Sequence, residues 1–234
     1  MSLSPDFINE LSKHFTGDLR FDTASRILYS TDASMYQIEP LGVAIPKTQD
    51  DLQSAVELAA KYKVPILPRG SGSSLGGQAV GEALILDCSR WLDSIIEIDP
   101  RSKTATVEPG VVLATLNAVA AKQGLMFGPD PASAERATMG GVIGNNATGA
   151  HSILYGMTAD HLISADVILG DGTLETWDKN NRSKLLPTVQ TIRDNYVDAI
   201  QQNFPKTWRN SAGYRLNYLL PWSPSTPSQW IGDY

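Results

Sequence analysis

Apolar residues fall in two different periods along this chain, and the change of period divides it. Phe7, Ile8, Leu11 and Phe15 recur at helical spacing and predict a first helix over residues 5–15. A polar connector follows, running through Tyr29, Ser30, Thr31, Asp32, Ala33 and Ser34. Short apolar runs at 43–45, 64–67 and 83–86 then read as buried strands. Between the first two lies a second helix. Thr48 stands at its N-cap, Asp51 at the capping-box distance, and Leu52, Ala55, Val56 and Ala59 form its apolar face. Strand, helix and strand joined by short links favour parallel pairing.

From residue 94 the pattern alternates. Segments 94–99 and 104–108, with Pro100, Arg101 and Ser102 between them, predict an antiparallel hairpin. Pro109 and Gly110 end it. A helix carrying Val112, Leu116 and Val119 follows and stops at Gly124. Residues 163–169 and 174–177 form a second strand pair across Gly170, Asp171 and Gly172, and a last helix spans 185–204 with Pro187 in its first turn. The predicted class is therefore α+β, a small parallel β/α subdomain followed by an antiparallel sheet with helices. Residues 1–38 form a leading helix and connector. Residues 39–178 form the main domain, with its internal boundary near 93. Residues 179–234 form a helix and a segment rich in Pro and Ser that leads onward.

Length and charge narrow the partners. A chain of 234 residues with 42% hydrophobic and 19% charged residues is a globular protein with a real core. The formal net charge of −6 and the scatter of Lys and Arg argue against nucleic acid. An anionic ligand must then be held by backbone amides and a few placed cations. No apolar run is long enough to span a bilayer and no signal-peptide core opens the chain, so the expectation is a cytoplasmic protein. The single cysteine, Cys88, excludes an internal disulfide and a cluster of thiolate ligands, and its apolar setting marks a buried small hydrophobe rather than a reactive thiol.

The candidate chemistry starts in the loop Pro68-Arg69-Gly70-Ser71-Gly72-Ser73-Ser74-Leu75-Gly76-Gly77, directly after a predicted strand. Small side chains let backbone N–H groups approach a ligand and tolerate positive φ, and successive N–H groups make an anion site suited to a diphosphate. Three familiar patterns fail here. Leu75 stands where the dinucleotide fingerprint needs its third glycine, and Gln78 replaces the lysine of the P-loop. Ser74 sits in G-x-S-x-G but lacks the following helix of a nucleophile elbow. Arg69 is open between pairing with phosphate and capping the strand.

A second stretch of small residues completes the pattern. Gly128, Pro129, Asp130, Pro131, Ala132 and Ser133 lead to Thr138, Met139, Gly140, Gly141, Val142, Ile143, Gly144, Asn145, Asn146, Ala147, Thr148, Gly149, Ala150 and His151. It suits a long, flat, polar-edged ligand lying against main chain. Two or three charge-assisted hydrogen bonds to phosphate contribute roughly 1.5–3 kcal/mol each. Tight cofactor retention needs about 8–12 kcal/mol. The first loop alone falls short, so a ring system must be buried elsewhere.

In order, Tyr29-Ser30-Thr31-Asp32, the loop 68–75, Val107-Glu108-Pro109-Gly110-Val111, Pro129-Asp130-Pro131-Ala132-Ser133, Thr138-Met139-Gly140-Gly141, Tyr155-Gly156 and Val167-Ile168-Leu169-Gly170-Asp171-Gly172 resemble the FAD-linked oxidases of the vanillyl-alcohol-oxidase and p-cresol-methylhydroxylase superfamily. The glycolate oxidase subunit and D-lactate dehydrogenase type is the most similar group. The resemblance implies a two-subdomain FAD-binding fold. Arg69, Gly70, Ser71, Gly72, Ser73, Ser74 and Leu75 would wrap the FAD pyrophosphate. Pro129, Thr138, Gly140, Gly141, Asn145 and Gly149 would line the path to the isoalloxazine, and Ile168 would meet the adenine end. Some relatives attach FAD through a histidine of the first loop. None lies between Gly70 and Gly77, so non-covalent FAD is expected.

The resemblance further implies oxidation of a small-molecule D-2-hydroxy acid, with electrons passed to an acceptor or iron–sulfur module outside this chain, and no metal site within it. Asn210-Ser211-Ala212-Gly213-Tyr214-Arg215-Leu216 resembles the lead into the rest of the flavin domain, so the chain reads as an N-terminal fragment. His151 could orient ring or substrate or be structural, His161 reads as structural, and His14 reads as surface. No residue stands out as the catalytic base. Another alcohol oxidation on the same fold, reduction of an enol-ether sugar nucleotide, and a non-catalytic FAD-binding or assembly module are the alternatives.

Overall fold

The computed structural model describes residues 3–180, 183–207 and 214–220. The expected segment at 210–213 and the prolines from Pro221 onward lie outside the described residues. The chain divides into two compact units. The first comprises Met1–Phe127, Pro131–Val142 and Ile168–Leu174, and the second Gly128–Asp130, Ile143–Val167 and Glu175–Tyr234.

The first unit is built on a four-stranded sheet. Helix α1 (Pro5–His14) starts at Ser4, whose hydroxyl accepts from the Phe7 amide, with Pro5 at the position where a missing N–H costs nothing. Strand β1 (Asp18–Arg20) and helix α2 (Thr23–Leu28) follow, then strand β2 (Gly42–Ile45), helix α3 (Gln49–Tyr62), strand β3 (Ile66–Arg69) and strand β4 (Leu84–Asp87). The strand order is β1-β2-β4-β3. Strands β2, β4 and β3 are parallel, and β1 adds to the edge antiparallel. The connector therefore holds a strand and a helix that the apolar pattern did not predict.

Alternation in the strands explains the packing. Ala44, Leu84 and Leu86 point to one face and pack with Phe7, Leu11 and Phe15 of the first segment and Ala55, Val56 and Leu58 of α3. Val43, Ile45 and Ile85 point to the other, where Tyr29 and Leu67 cover them. Asp51, only 1% exposed, ties α3 to the sheet. Its amide is capped by Thr48, as the spacing predicts. Its carboxylate does not close the capping box. It accepts from the Thr16 amide at 2.7 Å, the Thr16 hydroxyl and the Lys47 amide at 2.8 Å.

Strands β5 (Ile95–Asp99) and β6 (Thr104–Val107) form the predicted antiparallel hairpin, with a register shift between Ile95 and Glu97. Helix α4 (Leu113–Ala120) continues as a 3₁₀ turn to Gly124, whose φ of 70° closes it. Helix α5 (Met139–Gly144) covers the Thr-Met-Gly-Gly stretch, where three glycines in six residues hid it. Helix α6 (Ser152–Tyr155) follows. Among the described residues, strands β7 (Ala165–Ile168) and β8 (Leu174–Trp177) pair with each other, so the expected antiparallel sheet is present as two separate two-stranded ladders, each closed by its own turn. Helix α7 (Leu186–Asn203) carries Pro187 in its first turn. Among the described residues no helix is long and apolar enough to cross a membrane, and no cluster of His, Cys, Asp and Glu could hold a metal ion.

Candidate cofactor site

The carboxyl ends of the parallel strands of an open α/β sheet are where ligands bind in such folds. The small-residue loop leaves β3 at that edge. Among the described residues, the backbone N–H groups of Ser71, Gly72, Ser73, Ser74 and Leu75 donate to no protein acceptor. Five consecutive free donors need water or an anion. Gly72 has φ of 71° and Gly77 φ of 79°, conformations that side chains strain. Gln78, which occupies the P-loop lysine position, folds back onto the loop and accepts from the Ser74 hydroxyl and the Gly76 amide.

The second segment meets this loop. A Cβ on Gly70 would lie 2.1 Å from Oγ1 of Thr138, which is 3% exposed. The Thr138 side chain packs directly on the loop's main chain because position 70 has no side chain. Thr138 pairs in an isolated bridge with Val112. The Gly140 amide donates to the Pro109 carbonyl at 2.8 Å, and a Cβ on Gly140 would stand 2.9 Å from the Pro109 Cβ. Gly141 has only ordinary contact space, with Thr138 Oγ1 3.5 Å from a Cβ built there. Ile168 packs, partly buried, on the α1–α3 core.

Arg69 is turned inward. Its Nη1 donates to the carbonyls of Ala79 at 2.8 Å and Tyr29 at 3.2 Å, and Nη2 to that of Thr31 at 2.8 Å. Its guanidinium stacks on the Tyr29 ring at 5.2 Å. The Tyr29 hydroxyl in turn donates to Asp87 at 2.6 Å, and burial together with that carboxylate pushes the phenol well above its usual range. Asp32 accepts from the Ser34 amide at 2.8 Å and the Ala79 amide at 3.3 Å. Burial raises its carboxyl pKa, but bonds from Ser34 and Ala79 and the charge of Arg69 outweigh this and leave it lowered. Burial, then the neighbouring Asp87, pushes the Cys88 thiol up to about 12.

Pro129, Asn145 and Gly149 belong to the second unit. Ser152, 3% exposed, joins two of them there. It donates to the Pro129 carbonyl at 3.2 Å and accepts from the Gly149 amide at 3.0 Å. Asn145 is exposed. Asn146 serves the backbone instead: its φ is 44°, its side chain accepts from the Ala159 amide at 2.9 Å and it donates to the Tyr218 hydroxyl at 3.3 Å. His151 Nδ1 lies 3.4 Å from Asp130, and His161 Nε2 lies 2.7 Å from the Tyr155 carbonyl. The organising roles of Tyr29, Asp87 and Ser152 were not read from the sequence, since each has a partner distant in sequence, Asp87 for Tyr29 and Pro129 for Ser152.

The donor set fits FAD on two observations. Unused amides of a loop with a positive-φ glycine offer hydrogen bonds to a diphosphate, and the bare backbone at Gly70 lets Thr138 of the second segment close onto the loop.

Comparison with known proteins agrees. The family model described as an FAD binding domain matches residues 40–178. D-2-hydroxyglutarate dehydrogenase of Escherichia coli (strain K12) is 34% identical over 232 residues, covering 92% of this chain and 23% of that protein. Glycolate oxidase subunit GlcD of Bacillus subtilis (strain 168) is 36% identical over 163 residues, covering 68% of this chain and 35% of that one. A solved structure of alkyldihydroxyacetonephosphate synthase aligns with a TM-score of 0.67 at 28% identity, over 74% of this chain and 35% of that one. The chain thus spans about a quarter to a third of the length of these relatives. On the match to more than half its length, the chain belongs to the FAD-binding domain family.

Proposed function

We propose that this chain is the flavin-holding portion of an FAD-dependent dehydrogenase that oxidises a D-2-hydroxy acid. The observation that carries the reading is the row of free amides from Ser71 to Leu75, on a chain of the FAD-binding domain family. Those N–H groups take the diphosphate, and Thr138, Gly140 and Gly141 form the segment beside it. Pro129, Asn145 and Gly149 line the approach to the ring system, and Ile168 supports the adenine end. Bound FAD supplies a hydride acceptor for the α-carbon of the substrate. With no histidine between Gly70 and Gly77, the chain holds FAD without a covalent bond.

The substrate class is supported by the names of the relatives, D-2-hydroxyglutarate dehydrogenase and a glycolate oxidase subunit. Electrons then pass to a separate acceptor or iron–sulfur module outside this chain. The likeness to a synthase favours a second reading, a different reaction on the same flavin fold.

The test has two stages. The purified chain is mixed with excess FAD, desalted and scanned, and flavin bands that wash out on acid precipitation of the protein are expected. Folded protein without flavin bands would support a non-catalytic module. Dye-linked assays of the full-length gene product with D-2-hydroxyglutarate, D-lactate and glycolate then separate the first reading from the second. Turnover of none of the three would contradict the substrate class.

A further inference from the structure

We propose that Arg69 is a positioning residue, which shapes the amide cradle from beneath instead of binding the phosphate. The inference rests on the diphosphate reading above and changes the part Arg69 plays in it. A cation at the head of a phosphate loop invites the assignment of phosphate ligand. The geometry points the other way.

The guanidinium fills the inside of the bend. It reaches the Ala79 carbonyl, where the loop returns, and the Tyr29 and Thr31 carbonyls of the segment beneath. Ala79 is held through both of its main-chain groups, since its amide donates to Asp32 at 3.3 Å. The Ala33 amide, between Thr31 and Ser34, donates to the Gly72 carbonyl at 3.0 Å and so ties the middle of the loop to the same segment. A Cβ on Gly72 would come within 2.5 Å of Arg69 Nη2, which puts the guanidinium directly against the bend. Tyr29 stacks beneath the cation and is itself anchored to Asp87, the residue paired with Arg69 in the β3–β4 register. Start, middle and end of the loop are thus referred to one planar group.

Chemistry separates the two roles. A phosphate ligand acts through charge, and lysine retains much of that. A clamp on three carbonyls over an aromatic ring needs the planar fork of arginine, which a point charge on a flexible stem does not reproduce.

Three variants of the chain, Arg69→Lys, Arg69→Met and Asp32→Asn, would be titrated with FAD and with ADP, after circular dichroism confirms folding. Amide hydrogen exchange would be followed without ligand. Arg69→Lys is expected to weaken both ligands by about tenfold or more, close to the loss in Arg69→Met, with a smaller loss in Asp32→Asn. Without ligand, exchange at the Ala33 and Ala79 amides should speed up about tenfold in Arg69→Lys, with Leu58 and Ala59 of α3 unchanged. Arg69→Lys that binds within about twofold of the parent, while Arg69→Met does not, would mark a phosphate ligand and overturn the proposal. A parent chain that binds neither ligand contradicts the diphosphate reading. The exchange comparison then decides the clamp independently, and unchanged Ala33 and Ala79 amides overturn it.

Discussion

Gly70→Ala adds one methyl group where the loop touches the second segment. Its Cβ would lie 2.1 Å from Thr138 Oγ1, 3.2 Å from Thr138 Cβ and 3.3 Å from Thr138 Cγ2. Rotating Thr138 does not clear the space, because its Cβ is already close and the residue is buried. Ordinary contact near 3.5 Å requires the loop and Thr138 to part by about 1.4 Å. Overpacking of this kind costs about 1–3 kcal/mol, reduced by about 0.4–1 kcal/mol because alanine restricts the unfolded chain. Ligand binding suffers more. Amides moved by over an ångström lose their alignment with a diphosphate, and two charge-assisted bonds at about 1.5–3 kcal/mol each amount to a hundredfold or more in FAD affinity. Urea unfolding and fluorescence titration measure the two effects. In a double-mutant cycle, Thr138→Ala should relieve the stability loss of Gly70→Ala, with a coupling of about 1 kcal/mol or more. Additive stability losses, or unchanged FAD binding in Gly70→Ala, would refute the close approach as the organising feature.

Other perturbations test separate links. Gly72→Val should weaken FAD binding far more than Ser73→Ala, because position 72 combines a φ of 71° with a clash against Arg69, and equal effects in titration would count against the cradle. Asp51→Ala strands the Thr16 and Lys47 amides that its carboxylate satisfies, and should cost about 3–5 kcal/mol in urea unfolding, a loss under 1 kcal/mol contradicting its anchoring role. The half-buried Cys88 thiol, raised to about 12, should resist a disulfide reagent at pH 8 in the folded chain and react on unfolding, so rapid labelling of native protein would contradict that raised value. By linkage, a raised folded value means stability is full below the unfolded thiol value of about 8.5 and falls as pH rises beyond it, and Cys88→Ala should flatten that alkaline slope in thermal melts.

The sequence made the parallel core legible because its strands are continuous apolar runs and α3 carries a clear cap and face. Other elements were hidden for physical reasons. Strand β1 is three residues long and half-buried, held by pairing with β2 rather than by its own pattern. Helix α2 had a readable cap in Asp22, which accepts from the Ser25 amide, but only six residues behind it. Helix α5 defies propensity, and tertiary contact with Pro109 supports it. The loop was visible as a candidate because small residues after a strand have few other uses. The orientation of Arg69 was not visible, because its partners are carbonyls of residues 29, 31 and 79, which carry no side-chain signature. Asp51 shows the same limit, its capping spacing being correct while its carboxylate serves Thr16.

Whether main-chain amides of one loop hold the diphosphate is decided by amide NMR of the isotopically labelled chain during FAD addition. Large downfield proton shifts are expected at Ser71, Gly72, Ser73, Ser74 and Leu75, reproduced by ADP. FAD that binds while those five resonances stay in place would contradict the cradle.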